Sequence, residues 1–353
     1  MTKAALLRIH RYAGLLAALF LFVQALTGCL LVYRDDAARL IDPAGMQRKT
    51  TGGMAPLASV LAAARAVESG AAIERLYYPA SKQGTFLVQM HDEAGKLRFA
   101  SVDPGNATVL RHGGLWTFPV EAALKVHYTW LAGKAGTAVV VLSGFCLLTL
   151  GISGISFWWP RRRQFLKNLE IRTHLSARLV LRQAHRTAGV LVSPILALMA
   201  VTGLMIAIPI LLEAEAGAVG TTVIHPSTAK GVALAQAQFP GATIRDVRFP
   251  DATHIAVNFN APERNSRAVH KASVDLISQQ VVNTQAADQD GALWVIALPL
   301  HAGDAFGTVG HLLILLSGMT LAGLAVTGPL MWWQARRRPS AQKSVKLKVA
   351  NKS

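Results

Sequence analysis

His10-Arg11-Tyr12-Ala13-Gly14, followed by an apolar run to Thr27-Gly28, decides the reading of the fold because it occurs twice. The second copy is His185-Arg186-Thr187-Ala188-Gly189, running to Thr202-Gly203, so that His10 to His185 and Thr27 to Thr202 keep one offset of 175 residues. About 20 apolar residues cross a bilayer, and each run is that long. Each copy is therefore a membrane helix with a histidine at its basic, water-facing end.

Two further apolar stretches, 136–159 and 310–333, bring the number of spans to four. With 52% apolar and 16% charged residues, the chain is too apolar for an ordinary soluble protein. The expected order is a membrane helix over 1–33, an outer module over 34–130 and a second helix over 131–160. A basic loop over 161–186 follows, then a third helix over 187–212, a second outer module over 213–305, a fourth helix over 306–334 and a basic tail over 335–353. The net charge of +17 collects at the N-terminus, in that loop and in that tail. Four spans put these three on one face, and the positive-inside rule makes it cytoplasmic. Both termini are then expected on the cytoplasmic side, with both modules facing outward. Topology and anionic lipid account for the charge, which leaves no reason to invoke nucleic acid. Cys29 and Cys146 both fall within spans, so no disulfide framework is present. Leu26-Thr27-Gly28-Cys29 resembles a lipoprotein cleavage site, but Thr202-Gly203-Leu204 stands in the equivalent place. The first span is read as uncleaved.

Each outer module reads as one helix and an antiparallel sheet. The first has Leu57–Val67 as helix and Ile73–Tyr78, Thr85–His91 and Leu97–Val102 as strands. The second has Gly231–Phe239 as helix and Thr243–Phe249, His254–Phe259 and Arg267–Val274 as strands. Leu142-Ser143-Gly144 and Trp158-Trp159 return as Leu316-Ser317-Gly318 and Trp332-Trp333 at an offset of 174. The expected fold class is thus an α-helical membrane protein with α+β extramembrane modules. It is built as two parallel tandem repeats of helix, module, helix.

Parallel repeats put equivalent residues at equal depth. His10 then faces His185 at the cytoplasmic end, and His127 faces His301 at the outer end. Two imidazoles facing each other at one depth are what bis-histidine haem needs. Gly14 and Gly189, one turn beyond His10 and His185, leave room for a flat ring. Gly133, Gly136, Gly307 and Gly310 are candidates for the same role outside. Arg11 and Arg186 can pair with haem propionates. Zinc and copper also use imidazole, though neither pair has the extra Cys, Asp or His of a closed site. His311 is an alternative outer ligand, and His112 lies on a glycine-rich loop where it could touch substrate. No residue is expected to act as acid or base, since the cofactor would carry the chemistry. The chain lacks a dinucleotide fingerprint, so a quinol or a cytoplasmic flavoprotein would donate the electrons.

These features resemble the PepSY-associated transmembrane helix family of bacterial inner-membrane proteins. The likeness rests on His10-Arg11-x-x-Gly14, His185-Arg186-x-x-Gly189, Leu300-His301-x-Gly303, and Thr327-Gly328 before Trp332-Trp333. It runs from about residue 4 to 338, with outer segments similar to PepSY modules. The resemblance implies that the membrane is the bacterial inner membrane and that the modules are periplasmic. It also implies an oxidoreductase: two b-type haems passing electrons outward to Fe(III) in a siderophore or other periplasmic chelate. The alternative is a non-enzymatic membrane regulator or a periplasmic peptide- or protein-binding protein, in which the histidines are structural.

Overall fold

Helix α1 (Lys3–Val32) starts where the Thr2 hydroxyl accepts the Ala5 N–H at 3.2 Å, and it runs unbroken through Cys29. In this computed structural model, residues 2–159, 164–213 and 220–336 are described. The basic runs Arg161–Arg163 and 337–352 lie outside them. The other long helices are α6 (Gly133–Trp158), α8 (Ala177–Leu212) and α11 (Gly307–Arg336), and all four are long and apolar enough to span a membrane. Helix α8 begins ten residues before Thr187, inside the segment expected to be loop. Its first residues, Ala-Arg-Leu-Val-Leu-Arg-Gln-Ala, are mostly strong helix formers, so His185 sits well inside a helix. This is a multi-pass membrane protein.

The four helices make a bundle in which α1 and α8 each pack against both α6 and α11. Small residues set how closely they pack. A Cβ on Gly318 would sit 2.5 Å from Cys29 Sγ, and one on Gly144 would sit 3.0 Å from Leu204. Each notch thus receives a side chain from the neighbouring helix. Between the ends of the bundle, Ala25, Val192, Leu196, Leu321 and Ala322 form a buried apolar layer.

The extramembrane part holds short helices α2 (Arg34–Ile41), α3 (Pro43–Met46) and α4 (Leu57–Val67), then strands β1 (Ala72–Tyr77), β2 (Phe86–His91), β3 (Leu97–Val102) and β4 (Val109–Gly114), and helix α5 (Pro119–Thr129). After α6 come the short α7 (Phe165–Leu169) and then α8. The second half continues with α9 (Thr228–Gln238), β5 (Ile244–Arg248), β6 (His254–Asn260), β7 (Val269–Asp275), β8 (Gln280–Gln285) and α10 (Leu293–Ala302). The two strand sets do not form separate sheets. They join into one eight-stranded antiparallel sheet, β4-β3-β2-β1-β5-β6-β7-β8, with Leu76 opposite Val247 at the seam. One face is covered by α4 and α9, where Val60, Leu61, Ala64, Val232 and Ala235 bury Ile73, Leu76, Val88, Val257 and Val274. On the other face Tyr77 of β1 meets Arg34, which lies just past the end of α1.

Each half has a fourth strand beyond the three expected. His112 lies on β4, not in a loop, and its Nδ1 is 3.1 Å from Glu68 Oε1. Both extra strands are sheet edges carrying glycine or polar residues, which mask the strand pattern.

Candidate cofactor site

Each of the four paired histidines is built in the same way. Its ring lies on a glycine of a neighbouring helix, and its Nδ1 meets the hydroxyl just before that glycine. His10 Nδ1 is 3.0 Å from Ser153 Oγ, and a Cβ on Gly154 would be 3.3 Å from its ring. His185 meets Thr327 at 2.7 Å, above Gly328. His127 meets Thr27 at 3.0 Å, above Gly28, and His301 meets Thr202 at 3.0 Å, above Gly203. At Gly28 and Gly203 a Cβ would come within 3.1 Å of the imidazole, so any larger residue would press on the ring.

The hydroxyls also fix the tautomer. Each already donates its single proton to a carbonyl one turn back in its own helix. The pairs are Thr27 to Val23 at 2.8 Å, Ser153 to Thr149 at 2.6 Å, Thr202 to Leu198 at 2.7 Å and Thr327 to Gly323 at 2.9 Å. Such a hydroxyl can only accept from the imidazole. Nδ1 therefore carries the proton in all four histidines, and Nε2 is the unprotonated nitrogen. His301 Nδ1 also reaches the Met199 carbonyl at 3.0 Å, which requires the same tautomer. A hydrogen-bonded Nδ1–H on one side of the ring, with Nε2 unprotonated, is how metal-ligating histidines are oriented.

The outer pair faces as expected. The His127 and His301 rings lie 6.3 Å apart between centroids, at 59° to each other. Two imidazoles bound through Nε2 on opposite sides of one metal, each about 2 Å from it, have centroids about 6 Å apart. At the other end His10 lies within electrostatic range of His185. Thr27 is 17 residues beyond His10 on α1, about 25 Å along the helix. The pairs are thus at two depths with the apolar layer between them. No group of three or more His, Cys, Asp or Glu able to hold a metal occurs among the described residues. Two opposed imidazoles fit a metal whose remaining positions are filled by a planar macrocycle, and these residues fit haem.

A Cβ on Gly14 or Gly189 would meet only Leu150 or Leu324, at 3.5 and 3.8 Å, so protein packing does not demand glycine there. That leaves the space beside each inner histidine for a ring. The outer glycines do something else. A Cβ on Gly136 would collide with the Thr129 carbonyl, and one on Gly310 with the Gly303 carbonyl. They allow the tight turns from α5 into α6 and from α10 into α11. Arg11 is exposed, whereas Arg186 is half-buried and reaches the Glu170 carbonyl at 3.4 Å. Arg186 Nε is buried without a hydrogen-bond partner. His311 does not join the outer pair: its Nε2 is 3.1 Å from Asp304 Oδ1, and its ring packs edge-on to Tyr33.

The profile of the family described as PepSY-associated TM region matches residues 7–335. The chain belongs to that family. No curated protein matches it. In this PepSY-associated chain the matched region contains all four histidines, all four hydroxyl-glycine cradles and the whole sheet. Sequence reasoning did not connect Thr27, Ser153, Thr202 and Thr327 to the histidines. The signal was there: every long helix has a Ser/Thr-Gly dipeptide, with Thr27 and Thr202 175 residues apart and Ser153 and Thr327 174 apart, although Ser143-Gly144 and Ser317-Gly318 are further copies that serve no histidine. Which histidine each one serves is a matter of helix packing.

Proposed function

We propose that this protein is a di-haem b cytochrome of the bacterial inner membrane that moves electrons from the cytoplasmic side to a periplasmic acceptor. The acceptor is Fe(III) held in a chelate such as a siderophore, which loses its hold once the ion becomes ferrous. The two halves are read as parallel repeats, with His10 and His185 holding one haem and His127 and His301 the other. The observation that carries the reading is the fourfold recurrence of a histidine whose Nδ1–H is held by a hydroxyl on a neighbouring helix, above a glycine of that helix. Haem bound at these pairs supplies one-electron transfer.

The chain's own contribution is positional. The hydroxyls fix the tautomers, the glycines admit the rings, and the apolar layer of Ala25, Val192, Leu196, Leu321 and Ala322 excludes water between the two depths. Basic residues at the N-terminus, in 161–186 and in the tail orient the spans with both termini cytoplasmic.

The test is the visible spectrum of the purified protein, oxidised and then reduced, with haem counted per chain. Two b-type haems are expected, with one lost in His10→Ala and one in His301→Ala. A protein made with ample haem that shows no Soret band would overturn the reading and leave the membrane-regulator alternative.

A further inference from the structure

Where β1 meets β5, the side of the sheet away from α4 and α9 gathers more cation than its acid neutralises. Asp246 has 0% of its side chain exposed and is shared by three guanidinium groups. Arg75 meets it through two nitrogens at 2.9 Å, Asn258 donates at 2.8 Å, and Arg245 donates at 3.1 Å. Arg248 is at 3.4 Å and is 51% exposed. A bidentate arginine and an amide already satisfy the carboxylate, so Arg248 is surplus to it. The neighbouring acids are engaged elsewhere: Glu121 holds Arg34 at 2.6 Å, and Asp304 holds Arg267 at 2.7 Å. Burial, together with the charges of Arg75 and Arg248, outweighs Asp246 and pulls Arg245 below its ordinary pKa.

The cross-strand row through this point runs Arg75, Arg248, Ala256, Ser273, Asn283. Two arginines at one end are followed by small and neutral polar residues, which leave a floor beside Arg248. The equivalent face of the first half is apolar, with Leu87 and Phe99 packed on Phe118. The seam also adjoins the end of α1 that carries Thr27. Arg34, seven residues past Thr27, lies over the ring of Tyr77 at 5.9 Å, and Arg75 lies over the same ring at 4.3 Å.

We infer that the β1–β5 seam is a docking site for the carboxylates of an anionic metal chelate, received by Arg248 and Arg75 above the floor of Ala256 and Ser273. This deepens the electron-transfer reading by naming where an acceptor docks, but binding itself requires no haem. The probe is gallium(III) citrate, which does not undergo reduction, titrated calorimetrically into the full-length protein in neutral detergent.

Saturable binding is expected, weakened by salt, and weakened roughly tenfold in Arg248→Gln through loss of one charge-assisted contact. The haem spectrum and melting temperature should not change, because Asp246 keeps Arg75 and Asn258. Ser273→Glu, which places a like charge on the floor, should abolish binding. No binding to the wild type, or equal binding by both variants, would overturn the inference. So would loss of binding in phosphatidylglycerol discs but not in phosphatidylcholine discs, which would make the seam a lipid-headgroup site. A di-haem protein that ignores gallium citrate removes this site alone. A haem-free protein that binds it removes the electron-transfer reading alone.

Discussion

At the scale of single residues, the four candidate histidines are held by partners about 100 or more positions away. Thr27 does nothing for α1 that Val could not do, yet its oxygen holds the His127 ring at 3.0 Å. Removing such a partner of a metal-ligating histidine costs about 10–100-fold in affinity. Thr27→Val should therefore weaken haem binding at the outer site by that factor and leave the inner site intact, whereas Thr27→Ser should restore it. Haem titration of the apoprotein, followed in the Soret band, checks both variants. Gly203→Ala tests the other half of the cradle. Its Cβ would press on the His301 ring at 3.1 Å, so the outer haem should be lost preferentially. Equal occupancy of both sites in that variant would show that the ring can move aside.

At the scale of elements, the two short helices that carry the outer histidines are tied down rather than intrinsically stable. Pro299 lies within α10 and has no N–H to give the Val295 carbonyl. Asn265, from the loop before β7, donates to that carbonyl at 3.2 Å instead. Val295 is buried, so Asn265→Ala leaves an unpaired acceptor and should cost about 1–3 kcal/mol. Replacing Pro299 with Ala in the same background returns the N–H and should recover most of the loss, as read from denaturant or thermal melts. On the other side, Arg34 pairs with Glu121 of α5 at 2.6 Å, directly beyond the end of α1. Each histidine-bearing helix is thus fastened by a side chain from outside it, Arg34 for α5 and Asn265 for α10.

At the scale of the whole molecule, the seam makes two sequence halves one structure. Either half alone would expose β1 or β5 as an unpaired edge. A chain divided between α7 and α8 should reassemble when both pieces are coexpressed, and each piece alone should aggregate; co-purification on a tag at one end decides this. Asp246 is the electrostatic centre of the seam. Burial opposes its ionisation, but hydrogen bonds from Arg75 and the charges of Arg75 and Arg245 win and hold its pKa below the ordinary 3.8. A carboxylate with a lowered folded pKa contributes stability above its unfolded value, and that contribution is lost as pH falls through the folded value. Melting temperature should therefore be insensitive to this group from neutral pH down to about 4 and decline below that. Asp246→Asn should remove this part of the decline and, by leaving the partly buried Arg75 and Arg245 without their carboxylate, lower stability at pH 7 by about 1–3 kcal/mol.

The spans and the strand-bearing segments were legible in the sequence, as were the matched offsets of His10 with His185 and of His127 with His301. Hydropathy, charge and repeat offset are carried along the chain and need no neighbours. The helix α10 and the edge strands β4 and β8 were not, because Pro299, Gly113-Gly114 and Gln280–Gln285 contradict the local pattern and are stabilised by partners elsewhere. The tertiary structure alone decided that both strand sets share one sheet and that Thr27 serves His127, Thr202 serves His301, Ser153 serves His10 and Thr327 serves His185. A hydroxyl in a helix reads as a minor polar residue until packing brings an imidazole within 3.0 Å of it, as it does for Thr27 and His127. Such an approach depends on the rotation and depth of two helices, which no periodicity in a single chain encodes.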